Sequence, residues 1–355
     1  MNPKFWKNKR VLITGHTGFK GSWLSLWLQE LQANLIGYAL PPPTKPSLFV
    51  LAQVKKGMSS LEKDIRDFNA VLATLKKHQP EIVIHMAAQP LVRQSYKQPV
   101  ETYETNVMGT VHLLEAIRLT KGVRVVINVT TDKCYENRDW VWGYRECESL
   151  GGNDPYSNSK ACSEMATSAF RNSFFPPSRY SQHGVAIASA RAGNVIGGGD
   201  WAKDRLVPDC VRAWLKGQEV SIRCPQAVRP WQHVLEPLAG YILLAEKLYE
   251  EGALYSEAWN FGPDAENAKS VRDVVKQFAS FWNGASHWEA RPSEDFYEAN
   301  CLRLDSSKAK TKLGWTPKWD LATTLRKVAE WYQVYQEERR RVRQKTLEQI
   351  QEYMG

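Results

Sequence analysis

The stretch VTTDKCYEN, residues 129 to 137, sets Asp132 beside Lys133 at the end of an apolar run, VRVVIN, that reads as a buried strand. Polar and ionisable residues at such a strand end are a common way to build a site on an α/β sheet. The pair is either a plain salt link or an acid and a base. A second pair, Tyr156 and Lys160 in DPYSNSKACSEM, lies four residues apart on a predicted helix, so both side chains share one face. A free tyrosine has a pKa of about 10 and is a poor base near neutrality. A lysine cation beside it favours the phenolate, and a phenolate can take the proton of a hydroxyl while hydride leaves the same carbon. Tyr-x-x-x-Lys alone is common on helices, so its weight comes from the surrounding elements.

Those elements alternate. RVLIT (Arg10–Thr14), NLIGY (Asn34–Tyr38), EIVIH (Glu81–His85), VRVVIN (Val123–Asn128) and VAIASA (Val185–Ala190) are short β-rich runs, separated by helical patterns such as SWLSLWLQEL and VMGTVHLLEAIRL. The pattern predicts a doubly wound parallel, Rossmann-type α/β sheet covered on both faces. After about residue 195 the rhythm changes, and short strands such as EVSIRC fall between helices. The expected organisation is a dinucleotide-binding domain over 1–193, to which a segment of about 228–262 returns, and a smaller mixed α/β lobe over 194–355. LATTLRKVAEWYQVYQ reads as an amphipathic helix. Period-two alternation adds a condition: Asp132 and Lys133 would point to opposite faces of a regular strand. For both to meet one substrate, the backbone must leave strand geometry at about Asp132.

VLITGHTGFKGSWL places Gly15, Gly18 and Gly21 between the first strand and the first helix, with His16, Thr17, Phe19 and Lys20 among them. Glycines there let backbone N–H groups approach a pyrophosphate, and the helix N-terminus adds its partial positive charge. The second strand ends Gly37-Tyr38-Ala39-Leu40-Pro41, with no acid to hold a ribose and no arginine for a 2′-phosphate; Lys45 is the nearest cation. NAD is favoured over NADP, with ribose anchoring from elsewhere. Asp64 and Ile65 in EKDIRD suit the adenine edge, and Ala87, Ala88 and Gln89 in HMAAQP close the third strand with small residues that let a cofactor lie near the backbone.

The chain of 355 residues is 43% hydrophobic and 24% charged, which is ordinary globular composition. Its net charge of +9 suits an anionic small molecule. No basic stripe or nucleic-acid motif accompanies the charge, so no nucleic-acid partner is expected. The run Arg339-Arg340-Arg341-Val342-Arg343 is interleaved with glutamates nearby and reads as a solvated helix face. The six cysteines include no C-x-x-C, which weakens zinc and redox readings, and no metal is expected. The first residues, MNPKFWKNKRVLITG, enter a strand without an apolar signal core, and no run of about 18 apolar residues occurs. A reduced, cytoplasmic enzyme without membrane contact is the expectation.

Gly15–Gly21 with Tyr156 and Lys160 resembles the extended short-chain dehydrogenase/reductases. That pattern joins the tyrosine and lysine to a strand-end hydroxyl, matched by Thr131, and Asn106 in TNVMGT matches the residue beneath the cofactor site. Thr130 joins Tyr156 and Lys160 on the cofactor side of the match. Longer blocks narrow the resemblance: GHTGFKGSWLSLWL, HMAAQPLVRQSY, DKCYEN, DPYSNSK, RAGNVIGGGDWAKDRLVPD and RPWQHVLEPL are similar to the sugar-nucleotide 4,6-dehydratases that act on CDP-glucose. The match runs from about Phe5 to Trp319. It implies oxidation of the sugar at C4 by NAD, loss of the C5 proton and of water from C6, and return of hydride to C6. Where other sugar-nucleotide dehydratases carry Thr-Asp-Glu, this chain and the CDP-glucose enzymes carry Asp-Lys. The resemblance makes Asp132 the acid for departing water and gives Lys133 the place of a C5 base or an enolate stabiliser. A lysine must fall roughly 3 pKa units, about 4 kcal/mol, to be half neutral at pH 7; burial and nearby cations can supply that, or the charged lysine can stabilise the enolate, and both roles stay open. On the substrate side the match implies Gln89, Asn194, Arg205, Arg229 and Glu298, although YEANCLRLD departs from the expected HEAHYLKLD. A homo-oligomer, dimer or tetramer, is also implied. A 4-epimerase on the same fold would need no acid at Asp132, and a non-enzymatic cofactor-binding regulator would be free to lose Tyr156 or Lys160.

Overall fold

The computed structural model describes residues 1–284, 286–291 and 301–355. Seven strands, β1 (Arg10–Thr14), β2 (Asn34–Ala39), β3 (Ser59–Glu62), β4 (Ile82–His85), β5 (Val125–Val129), β6 (Ala186–Arg191) and β7 (Ala258–Asn260), form one sheet in the order β7-β6-β5-β4-β1-β2-β3. Every pairing in it is parallel. Successive residues enter opposite cores: Val11 and Ile13 one, Leu12 the other; Ile82 and Ile84 one, Val83 the other. Both faces are covered, so the inner strands are largely apolar, whereas the edge strand β3, Ser-Ser-Leu-Glu, is polar and partly exposed.

Helices α1 (Phe19–Glu30), α2 (Phe68–His78), α3 (Gly109–Arg118), α4 (Pro155–Ser173) and α5 (Leu235–Glu251) do the covering. Trp23 and Trp27 of α1 and Leu238 and Ile242 of α5 fill one side. Val71 and Leu75 of α2 and Leu113 and Ile117 of α3 fill the other. Helix α4 begins where Asp154 accepts the Ser157 N–H at 2.9 Å and Pro155 occupies the first position, a cap and a preset φ that fix its start.

Beyond residue 194 the chain forms short strand pairs, Val195–Ile196 with Gln232–His233 and Val220–Ile222 with Trp288–Ala290. The segment from α5 to β7 rejoins the main sheet at its edge. Helices α6 (Leu321–Glu337) and α7 (Val342–Met354) fold back on the first half: Tyr353 meets Trp27 of α1 edge-on at 5.6 Å, and Arg343 donates to the Ala52 carbonyl at 2.8 Å. The arginines between them, Arg339–Arg341, form an exposed turn, not a helix face. No helix among the described residues is long and apolar enough to cross a membrane.

Strand order reverses between β1 and β4. A crevice of about 1410 Å³ opens there, at the carboxyl ends of the strands and under the second lobe.

Candidate active site

The first turn of the crevice is built by close approach. Gly15 has φ +75°, and a Cβ on it would stand 2.8 Å from the Met86 and Ala87 backbone. A Cβ on Gly21 would stand 2.2 Å from the Gly15 carbonyl oxygen. Only glycine lets β1, α1 and the end of β4 meet so tightly. Gly15, Thr17, Gly18, Phe19, Lys20, Gly21, Asp64, Ile65, Ala87 and Ala88 all line the crevice. A bare turn at a helix N-terminus, opposite two alanines, fits a dinucleotide. Tyr38 donates to the Asp64 carbonyl at 2.7 Å, which holds the adenine-side segment against β2. The Asp64 carboxylate faces Arg66 at 2.7 Å, which holds its pKa below the usual carboxylate range.

His16, Gln89 and Asn106 stand outside the crevice wall. The His16 ring is buried against Gly37 and bonds Ser60 at 2.7 Å. The Asn106 amide accepts from Gln89 N at 2.8 Å and donates to Ser159 at 2.9 Å, and the Gln89 side chain donates to Thr102 at 3.0 Å. These groups brace the loop after β4 against α4. Glu298 lies outside the described residues.

The backbone leaves strand geometry where the sequence required it. β5 stops at Val129, and Asp132–Cys134 forms one 3₁₀ turn capped by Thr131, whose hydroxyl accepts the Lys133 N–H at 3.3 Å. Thr131 donates to Asp132 Oδ1 at 2.9 Å. The turn brings Thr130, Thr131, Asp132 and Lys133 to the crevice together with Tyr156 and Lys160 of α4.

Burial sets the charges. Tyr156 is pushed up to about 12, while the adjacent Thr131 hydroxyl and the Arg205 cation pull the other way. Lys160 is lowered to about 8 by burial, with Glu164 opposing, and its Nζ donates to the Val129 carbonyl at 3.3 Å. Lys20 is lowered to about 7, by burial first and then by Arg205 and Lys160, with Asp132 opposing. A tyrosine this high needs a further cation beside it to work as a base. The oxidised nicotinamide ring of NAD, bound in the crevice, would supply one.

Asn194, with φ +42°, and Arg205 and Arg229 close the opposite wall. Arg205 pairs with Asp200 at 2.8 Å. Arginines suit a diphosphate through their planar fork. Three groups escaped the sequence reading: Asp200, which orients Arg205; Gly193, against the Asp132 carboxyl; and the buried pair Glu164–Arg191. The one-turn spacing of Glu164 from Lys160 was the available signal for the last.

The sequence profile described as GDP-mannose 4,6 dehydratase matches residues 12–328. A CDP-glucose 4,6-dehydratase of Salmonella typhimurium is 56% identical over 335 residues, 94% of this chain and 93% of that protein. Among solved structures, a UDP-glucose 4-epimerase of Thermotoga maritima with UDP-glucose superposes with TM-score 0.76 at 25% identity, covering 91% of this chain and 98% of that one. MoeE5 in complex with UDP-glucose and NAD gives TM-score 0.77 at 25% identity, with 91% and 98% covered. Profile, relative and fold agree with the crevice chemistry: the chain belongs to the GDP-mannose 4,6 dehydratase family, the nucleotide-sugar dehydratases of the extended short-chain dehydrogenase/reductase fold.

Proposed function

We propose that this dehydratase acts on CDP-glucose, converting it to CDP-4-keto-6-deoxyglucose and water. Bound NAD supplies the hydride acceptor for C4 and the hydride donor for C6. Tyr156, as phenolate, takes the C4 hydroxyl proton, and the Lys160 cation and Thr131 stabilise it. The C4 ketone acidifies the C5 proton. Lys133 removes that proton, or holds the enolate charge while it leaves. Asp132 gives a proton to the departing C6 hydroxyl, so that water carries away the oxygen. A proton returned to C5 gives the product, and the proton that Tyr156 took from the C4 hydroxyl makes good, through solvent, the one that Asp132 gave to the departing water. Gly15, Gly18, Gly21, Thr17, Ala87 and Ala88 hold the dinucleotide; Asn194, Arg205 and Arg229 hold the nucleotide diphosphate. Glu298 belongs to the same proposed substrate set.

One observation carries the reading: the 3₁₀ turn places Asp132 and Lys133 on the same crevice as Tyr156 and Lys160. A 4-epimerase needs the second pair and has no use for an acid at the first. The 56% identity to a CDP-glucose 4,6-dehydratase supports the choice of nucleotide. The proposal extends to a cytoplasmic homo-oligomer, dimer or tetramer. Val100 and Met108, and Met165 on α4, are exposed apolar groups in keeping with it. Incubation with CDP-, UDP- and dTDP-glucose in parallel tests the substrate. A 4-keto-6-deoxy product is expected from CDP-glucose in preference to the others; a C4-epimerised sugar, or preference for another nucleotide, contradicts the reading.

A further inference from the structure

Lys160 has its back to a buried polar network. Glu164, one turn along α4, is 3% exposed. Its Oε1 accepts from the Thr130 hydroxyl and from Arg191 Nε at 2.9 Å, and its Oε2 accepts from Arg191 Nη2 at 3.0 Å. Arg191, 3% exposed, also donates through Nη1 to the Tyr135 hydroxyl at 2.7 Å and the Glu146 carbonyl at 3.2 Å. Tyr135 passes the chain on to Asn260 at 2.8 Å. One network therefore joins α4, both ends of the 3₁₀ turn, β6 and β7. Apolar residues of similar volume would serve stability as well, because the desolvation of a buried pair cancels much of its attraction. Its position beside the oxidising pair calls for another account.

The groups around Lys160 narrow that account. Glu164 of α4 and Cys134 of the turn act on it, and it acts in turn on Lys20 of α1 and His85 of β4; Tyr156, Asp132 and Arg205 line the same crevice, and Arg191 of β6 pairs with Glu164. His85 is held neutral, lowered to about 3 by burial, and the Cys134 thiol is pushed far above neutrality, so neither carries charge at pH 7. Glu164 and Cys134 act to keep the lysine protonated, and of these two only Glu164 is charged; its own pKa is held low by Arg191 against burial.

We propose that Glu164 is a positioning residue for the oxidation step: it pins the corner at Thr130, next to the Val129 carbonyl that holds Lys160 Nζ, and sets its charge one helical turn from that cation, while Arg191 orients the carboxylate. The proposal rests on the dehydratase reading of the crevice. Lys160 titrates near 8 with Glu164 present, so loss of the carboxylate moves loss of the cation toward neutrality. Lys20 also titrates in this range, but Glu164 is not among the charges acting on it. A pH limb that moves when Glu164 changes therefore reports the Lys160 cation, directly or through its repulsion of Lys20.

The test is the pH profile of single-turnover NADH formation in Glu164→Gln and wild-type enzyme, using whichever of CDP-, UDP- and dTDP-glucose the wild type oxidises. The alkaline limb should move down by about one pH unit, a roughly tenfold loss of rate on that limb. Glu164→Asp should restore part of it. Glu164→Gln/Arg191→Met removes both charges, leaves no buried guanidinium unpaired and should move the limb the same way by a smaller amount, which covers the case in which the single variant does not fold. A folded variant with wild-type limbs and only a lower amplitude overturns the proposal. Wild-type oxidation of UDP- or dTDP-glucose alone refutes the CDP-glucose assignment and leaves the limb as the test of Glu164. No oxidation of any of the three refutes both.

Discussion

A Cβ on Gly193 would stand 1.9 Å from Asp132 Oδ2, so the bare backbone after β6 is the wall against which the Asp132 carboxyl rests. Oδ1 is held by Thr131, whereas Oδ2 is buried and has no partner among the described protein atoms. Buried polar atoms are almost always partnered; in the proposed reaction a turn of the carboxyl toward the crevice it lines would give Oδ2 the substrate hydroxyl as its partner. Gly193→Ala should push the carboxyl out of hydrogen-bond reach of that hydroxyl. Elimination should slow by about 10²–10⁴-fold, with the first oxidation kept. NADH would then accumulate in a single turnover; its absence together with normal product formation would show that the carboxyl is not the acid.

Lys133→Met separates elimination from oxidation on the other side of the same turn. Tyr156 and Lys160 are untouched, so hydride should still leave C4. Deuterium uptake at C5 from heavy water should slow by about 10²–10⁴-fold if Lys133 is the base. Wild-type exchange and turnover would return Asp132 and Lys133 to a structural role. A neutral lysine base gives activity that rises with pH through its pKa, and a charged stabiliser gives activity that falls.

Tyr156→Phe should abolish oxidation of C4 and leave NAD affinity within a few-fold of wild type. In the proposed mechanism its phenolate is the proton acceptor, whereas the glycine turn holds the dinucleotide. Stopped-flow NADH absorbance and a fluorescence titration measure the two separately. NADH formation near the wild-type rate would remove Tyr156 from the chemistry.

His233, fully buried between Trp23 and Trp319, is lowered to about 3 by burial. In the unfolded chain its pKa is about 6.5. Between those values the unfolded state binds the extra proton, so this residue makes stability fall as pH drops from about 6.5 toward 3. Buried carboxyls with raised pKa values, such as Asp209 at about 6, act in the opposite direction, so the comparison must be with a variant. Between pH 7 and 5 the wild type should lose about 2 kcal/mol relative to His233→Gln. Parallel urea-midpoint shifts in the two proteins would contradict it.

The sheet and the two pairs that line the crevice were legible because their signals are local. Strand runs, a glycine turn and a four-residue helix spacing each depend on neighbours in sequence. Even the break at Asp132 followed from period-two alternation, since a continued strand would have split Asp132 from Lys133. What stayed hidden depends on chain segments far apart. Gly193 touches Asp132 across 61 positions, and Arg191 meets Glu164 across 27. Family resemblance placed Asn106 beneath the cofactor; its amide is spent on Gln89 and Ser159, a use that appears only once α4 packs on the loop after β4.

The central claim is that one crevice oxidises C4, eliminates water across C5–C6 and returns the same hydride to C6. CDP-glucose deuterated at C4 tests it in one mass and NMR measurement. The account predicts a CDP-4-keto-6-deoxy sugar with the deuterium in the C6 methyl group; a C4-epimerised sugar that keeps the label at C4, or a 4-keto-6-deoxy product with no label at C6, would contradict it.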